Sequence, residues 1–305
     1  MNTPSALAFV PPLGIPAPTF GITDGAPAPT VYVNEAIGND ANPGTETRPR
    51  RTIPTQLAAG TVVSVTGTYT TGHGSPATIE AHGTATAPVF IVGGTFTKGG
   101  ELTGSYLIVE KGNGAGGWAI LDTRDGRPSD HLVIRDYDSQ GGFNIASWRN
   151  ATLSDIVLLR VTVNLGYTNQ RETDGDWHGV NIGINTGTTG KLERIWVLDS
   201  NLSDCRGDGV QVNGVQGGQL NLGPVYLGRL TGVHNRQTGV GIKQSHDVVV
   251  SECTFSKMRP DIDYTNPGAG IAAQYWPARL ALIGNTITDS ENGIIIASYA
   301  AEAMS

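Results

Sequence analysis

Lysine and arginine side chains recur near the middle of the chain in a spacing that suits proton abstraction. Lys243 stands in the segment GVGIKQS, and Arg206 and Arg236 precede it. A lysine acts as a base only if its pKa falls from about 10.4 towards neutrality, through burial or nearby positive charge. The two arginines are expected to supply that charge or to neutralise a carboxylate. This set suits removal of a proton α to a carboxylate, as in β-elimination from a uronic-acid polymer.

An internal repeat must position these residues. A glycine followed by an apolar residue, any residue and a second apolar residue recurs at intervals of 23 to 37 residues, at Gly142, Gly179, Gly209, Gly239, Gly270 and Gly293. Second apolar runs lie between the repeats, and no helical stretch accompanies them. This period predicts a solenoid, and strands without helical stretches make it an all-β one, a parallel β-helix. Leucine-rich repeats are the main alternative, but their fixed Leu and Asn pattern is missing from this sequence. We expect one β-helix domain over 31–305 and an Ala/Pro-rich arm or linker over 1–30.

Alternation within each repeat predicts which side chains face outward. The two apolar residues should point into the coil, so the residue between them and the residue after them should form outer columns. Coils that stack at about 4.8 Å would align these columns along the solenoid. The predicted substrate-binding residues on or beside these columns are His178, Asn181, Asp208, Gln211, Asn213, Gln274, Trp177 and Trp276. For each of them, the alternative is an ordinary solvated surface position or, for Trp, a buried one.

Acidic residues near the same coils could hold a cation. Calcium takes six to eight oxygen ligands, and the candidates are Asp174, Asp176, Asp204 and Asp208. Gly207 interrupts the acidic run, and capping of turns by Asp is the competing explanation.

Composition excludes several classes of function. The formal net charge is −7 and no basic stripe is present, so we expect no nucleic-acid partner. No apolar run is long enough to span a membrane. The first basic residue is Arg48, so a secretion signal of the usual form is not recognisable. We expect an extracellular or phage-particle-associated protein. Cys205 and Cys253 are expected to be small buried residues.

Two segments carry a resemblance to a known superfamily. The opening VYVNEAIGNDANPGTETRPRRTI and the coil GVGIKQSHDVVVSECTFSKMRP resemble pectate-lyase-like proteins, and the second resembles the active-site coil of β-helical polysaccharide lyases. The resemblance implies a right-handed parallel β-helix. Resemblance to the lyases of family 9 implies that Lys243 is the base and that Asp residues hold a Ca²⁺ ion. The family 6 lyases imply an arginine on the next coil, where this chain has Gln274.

Alternatives remain at the level of function. DCRGDGV (204–210) faintly resembles the Asp-rich coil of polygalacturonases, and a pair of carboxylates about 5–9.5 Å apart would support a glycoside hydrolase. A phage tailspike or adhesin would bind glycan with little catalysis, and an epimerase would share the proton chemistry. The leading prediction is a polysaccharide lyase acting on an anionic polysaccharide. We expect a monomer if the chain is a lyase and a homotrimer if it is a spike.

Overall fold

The computed structural model describes residues 12–23, 25–70, 77–167, 176–184, 189–214, 221–258, 268–275 and 277–297. These residues form 24 β-strands and one short 3-10 turn at Pro12–Gly14. Every pairing between the strands is parallel, and strands away from the two ends of the solenoid pair with strands from the coils before and after them. Among these residues there is no helix with the length and hydropathy needed to cross a lipid bilayer.

The strands, in chain order, have these bounds: β1 Val31–Val33, β2 Gln56–Ala58, β3 Val62–Tyr69, β4 Ala77–His82, β5 Val89–Phe96, β6 Gly100–Glu110, β7 Asn113–Gly114, β8 Trp118–Leu121, β9 Ser129–Ser139, β10 Phe143–Ser147, β11 Thr152–Asn164, β12 Val180–Ile184, β13 Lys191–Leu198, β14 Asn201–Ser203, β15 Val210–Asn213, β16 Val225–Gly228, β17 Thr231–Val233, β18 Thr238–Lys243, β19 His246–Ser251, β20 Thr254–Ser256, β21 Ala269–Gln274, β22 Ala278–Ile283, β23 Thr286–Thr288 and β24 Asn292–Ala297.

Three parallel stacks make the walls of the solenoid. One stack contains β8, β10, β12, β15, β18, β21 and β24, and its outer surface is called the ladder face here. A second runs from β1 and β3 through β13 and β16 to β22. The third includes β14, β17, β20 and β23. The predicted parallel β-helix is confirmed.

The register on the ladder face follows the predicted columns. Asn213 pairs with Lys243, and Lys243 pairs with Gln274. The neighbouring column aligns Asn144 with Asn181 and Asn181 with Gln211. The apolar residues on either side are fully buried in the interior, as at Val180, Ile182, Val210, Val212, Val240 and Ile242. Alternation therefore predicted correctly which side chains the face presents.

A second apolar cluster lies outside the coils, under the N-terminal arm. An outward column of the second stack, including Val157, Trp196 and Tyr226, is apolar and buried. Ile15 is 1% exposed within this cluster, and Phe20 packs at its edge. The described residues of the N-terminal arm, 12–23 and 25–30, lie along the solenoid. The arm runs from β19 and β22, which the 3-10 turn contacts, to β1 in the first coil.

Both cysteines are buried, free thiols. Burial raises the pKa of the Cys205 thiol, and burial raises the pKa of Cys253 to about 11. Thiols held in the protonated form are poor nucleophiles, so both residues act as small core side chains.

Candidate functional site

The ladder face carries a groove of about 550 Å³ across β8, β10, β12 and β15. Backbone and side chains of consecutive coils form it, so its long direction follows the solenoid axis. Its polar lining residues are Asn144, Asp176, His178, Asn181 and Gln211, and its aromatic lining residues are Trp118, Phe143 and Trp177. Asp176, Trp177, His178, Asn181 and Gln211 are predicted site residues, and Asn144 was not among them. Asn144 lies in the same column as Asn181, so the repeat itself carried the signal that it shares this surface.

His178 lies among the charged side chains at the groove. Its Nδ1 accepts a hydrogen bond of 2.9 Å from the backbone N–H of Asp208, and Oδ2 of Asp208 lies 3.5 Å from the same nitrogen. An accepting Nδ1 requires the ring proton on Nε2. Burial lowers the pKa of His178, against the opposing charges of Asp208 and Asp176. The imidazole is therefore neutral near pH 7, with Nε2 as its donor.

Glycine makes room for this arrangement at two positions. A β-carbon at Gly207 would stand 2.6 Å from Nδ1 of His178, and one at Gly241 would stand 2.7 Å from Oδ2 of Asp208. Gly207 therefore interrupts the acidic run because the imidazole ring occupies the space beside it. The glycine in the column of Asn181 and Gln211 has a similar cause, since the Asp208 carboxylate lies over the next coil.

Asp208 is a buried carboxylate, 2% exposed, that belongs to a local network. It accepts hydrogen bonds from the Thr238 hydroxyl at 2.5 Å and from Nε2 of Gln211 at 3.3 Å. Thr238 was not among the predicted site residues, although it occupies the same position before the repeat glycine as Asp208. A carboxylate with these donors is held rigidly beside the groove.

Arg236 is buried, 1% exposed, and forms an ion pair with Asp176. Gln237 Nε2 also donates to Asp176 Oδ1, at 2.7 Å. The arginine side chain thus reaches across two coils and orients the carboxylate at the groove wall. Arg206, on the intervening coil, is half-buried and makes no ion pair with any residue that the structure describes.

Lys243 ends β18 on the ladder face and is half-buried. Its neighbours along the column are the amides Asn213 and Gln274. Within the described ranges no carboxylate lies within ion-pair distance of its ammonium. The charge of Lys243 is nevertheless close enough to contribute to lowering the pKa of His178. The predicted base and the predicted binding residues therefore share one surface.

The three described carboxylates of the predicted calcium site, Asp176, Asp204 and Asp208, do not form one metal-binding cluster. Asp204 accepts from Asn164 at 2.9 Å and pairs with His234 at 2.9 Å, at another corner of the coil. Asp176 is occupied by Arg236, and Asp208 by Thr238. Asp174 lies outside the described residues, as does Trp276. Among the described residues no group of three or more His, Cys, Asp or Glu side chains is arranged to hold a metal ion. The described carboxylates thus do not fit a shared Ca²⁺ site.

Comparison with known proteins supports the fold. No protein-family model matches the sequence, and no curated protein is found as a relative. The GH136 lacto-N-biosidase from Eubacterium ramulus superposes with a TM-score of 0.52 at 14% identity, over 88% of this chain and 55% of that chain. This chain therefore spans about half the length of that protein.

Two lyase structures are also similar. A rhamnogalacturonan lyase gives a TM-score of 0.39 at 15% identity, over 87% of this chain and 86% of that chain. Pectate lyase Pel9A gives 0.40 at 14% identity, over 86% and 77%. At such identities a likeness concerns architecture alone. The chain is a parallel β-helix, as the pairings of its own strands define it.

Proposed function

We propose that this β-helix is a carbohydrate-active enzyme that cleaves an acidic polysaccharide by β-elimination, with Lys243 as the base. One observation carries the proposal. Lys243 projects from the ladder face beside an axial groove, with amides on both sides in its column and no described carboxylate paired with it. A base that must lose its proton is better placed among neutral groups than in an ion pair, because a carboxylate would stabilise the ammonium.

The reaction assigns a role to each nearby cation. The C5 proton moves to the neutral amine of Lys243, its electron pair forms the C4–C5 double bond, and the bond from C4 to O4 breaks. The departing O4 takes a proton from water. Arg206 is proposed to bind the uronate carboxylate, because it is the arginine here with no described ion-pair partner. Arg236 is a positioning residue that holds Asp176.

The second candidate is a glycoside hydrolase, and two carboxylates favour it. Asp176 lines the groove, Asp208 lies within 3.5 Å of His178, and both charges act on that imidazole. A hydrolase uses such a pair as acid and as base or nucleophile.

Product analysis separates the candidates. We expect acidic polysaccharides to give fragments whose masses sum to that of the substrate and which absorb in the ultraviolet as unsaturated uronates. Fragments that have gained one water, without that absorbance, would contradict elimination and favour hydrolysis. Binding without any fragment would indicate a glycan-binding protein. Inclusion of a chelator tests the predicted calcium dependence, which this mechanism does not use.

A further inference from the structure

The groove differs in charge from the surface around Lys243. Among its described lining residues Asp176 is the only acidic side chain, and none is Lys or Arg. The imidazole of His178 is neutral, since its Nδ1 accepts a backbone N–H at 2.9 Å. A carboxylate placed here would meet Asp176, whose charge Arg236 already compensates, and no lysine or arginine among the described lining residues, so the groove offers it little attraction.

Amides form the floor of the groove. Asn181 Nδ2 donates to Asn144 Oδ1 at 2.8 Å, and Gln211 Nε2 donates to Asp208 at 3.3 Å. These bonds leave three side-chain groups available to a ligand: the Nδ2 donors of Asn144, Oδ1 of Asn181 and Oε1 of Gln211. Donors and acceptors in one row match hydroxyl and acetamido groups, which both donate and accept, whereas a carboxylate only accepts.

An exposed aromatic ring forms one wall. Trp177 is 61% exposed and stands next to His178. Indole rings present a large apolar face on which the C–H face of a sugar ring can stack without any charge. This contact favours a pyranose ring and adds nothing to the recognition of a carboxylate.

Lys243 lies farther along the same axis than the groove, and Arg206 lies on the coil of Gln211, at the end of the groove. Lys243 is three coils beyond Asn144 in the stack, which is about 14 Å at the usual spacing of parallel strands. Arg206 lies on the coil between His178 and Lys243. One extended ligand that follows the ladder face therefore meets a neutral zone first and a cationic zone next.

From this order of zones we infer the substrate class: a heteropolymer in which a neutral hexose or N-acetylhexosamine adjoins the uronate. The neutral sugar occupies the Asn144–Asn181–Gln211 groove, and the uronate lies at Arg206 and Lys243. The inference rests on the proposed function for the position of the uronate. The preference for a neutral sugar in the groove is independent of the chemistry that follows.

Calorimetry on the full chain tests the preference directly. The Lys243→Ala variant is used so that no ligand is consumed. The probes are fragments of equal length from alternating polymers (hyaluronan, chondroitin and rhamnogalacturonan) and from uronate homopolymers (polygalacturonate and alginate). We expect the tightest ligand to be an alternating fragment, with a Kd about tenfold or more below that of any homopolymer.

A charge-adding variant provides the second arm. Asn181→Lys, combined with Lys243→Ala, should reduce the ratio of the homopolymer Kd to the alternating-fragment Kd about tenfold, because an ammonium in the groove attracts a carboxylate. Asn201→Lys, which adds the same charge on another face, should leave the preference unchanged. Circular dichroism of each variant verifies its fold, and the comparison of ligands stands without either variant.

Homopolymer binding equal to or tighter than alternating binding would overturn the inference, as would an absence of binding to every fragment. Failure of the proposed function has a different signature. In that case the wild-type chain produces no unsaturated uronate from any polymer, whatever its binding preference.

Discussion

His178 joins the parts of the site, because one imidazole contacts the backbone of the next coil and faces the groove. Its Nδ1 is committed to the Asp208 N–H, and Gly207 leaves room for the ring. Protonation of Nδ1 would replace this hydrogen bond with two donors facing each other. The neutral state is thus part of the local fold, and acid should disturb the site before it disturbs the rest of the solenoid.

We predict a dependence of stability on pH that belongs to this residue. Burial lowers the pKa of His178 below its unfolded value of about 6.5. The unfolded chain therefore binds the proton first, so this contribution is complete above that value and is lost as pH falls through the folded pKa. Denaturant unfolding should show that the free energy of unfolding falls less between pH 7.5 and pH 5.5 in His178→Asn than in the wild type. The side-chain carbonyl of the asparagine can still accept the hydrogen bond from the Asp208 N–H.

His82→Asn removes an exposed histidine far along the solenoid and provides the control. An equal loss of unfolding free energy in the wild type and in His178→Asn would contradict the assignment.

The residues of the site differ in how far the sequence could predict them. Asn181, Gln211, Asn213, Lys243 and Gln274 follow from alternation and a repeat of constant register. The Arg236–Asp176 pair does not, because its partners are 60 positions apart and the arginine side chain spans two coils. Sequence spacing gives the column of a residue, but not which neighbour in that column a long side chain will reach.

The corners between strands carry ladders of alternating charge. One corner stacks Lys111, Asp136, Arg160, Asp199, Arg229 and Glu252, all in the left-handed conformation with φ from 51° to 58°. Arg160 pairs with Asp136 through two hydrogen bonds of 2.6 and 2.8 Å, and Arg229 pairs with Asp199 through bonds of 2.6 and 3.0 Å. A left-handed residue costs about 1 kcal/mol, and pairing between coils offsets that cost while fixing the register.

Asp199→Asn tests this element, since asparagine tolerates the left-handed conformation and removes only the charge. We expect a loss of about 0.5–1 kcal/mol in the free energy of unfolding, because the pair is bidentate but partly exposed to solvent. The loss should shrink in high salt, which screens surface charges. Glu46→Gln, an exposed carboxylate with no ion pair among the described residues, should change little. An equal loss of unfolding free energy in Glu46→Gln would contradict a specific contribution from the charge ladder.

At the scale of the whole molecule, the described residues form two apolar cores, one inside the coils and one between the coils and the arm. Repeat periodicity predicted the inner core. The sequence did not predict the outer core. An outward apolar column must be covered by another segment, and nothing in the sequence of the Pro-rich arm indicated that it packs there. Arg135 connects the two parts: it forms a buried ion pair with Glu110 and donates to the Gly21 carbonyl at 2.6 Å.

Glu110→Gln should destabilise the assembled molecule by about 3 kcal/mol, because it leaves a buried arginine without its charged partner. We also expect faster proteolysis within residues 15–23, since Arg135 would no longer be held for its bond to Gly21. Glu252→Gln, which removes a 60% exposed carboxylate 4.0 Å from Arg229, is the matched control. Equal unfolding free energies for the two variants would show that the arm is not anchored in this way.

The role of Lys243 as the base is tested by the rate at which Lys243→Ala forms unsaturated product from the best acidic polysaccharide. We predict a loss of about a thousandfold or more in kcat, which is the size of effect expected when a catalytic base is removed, with KM changed far less. Lys257→Ala, which removes an exposed lysine at another corner, should retain the wild-type rate. Unchanged product formation by Lys243→Ala would contradict the assignment of the base and, with it, the proposed mechanism.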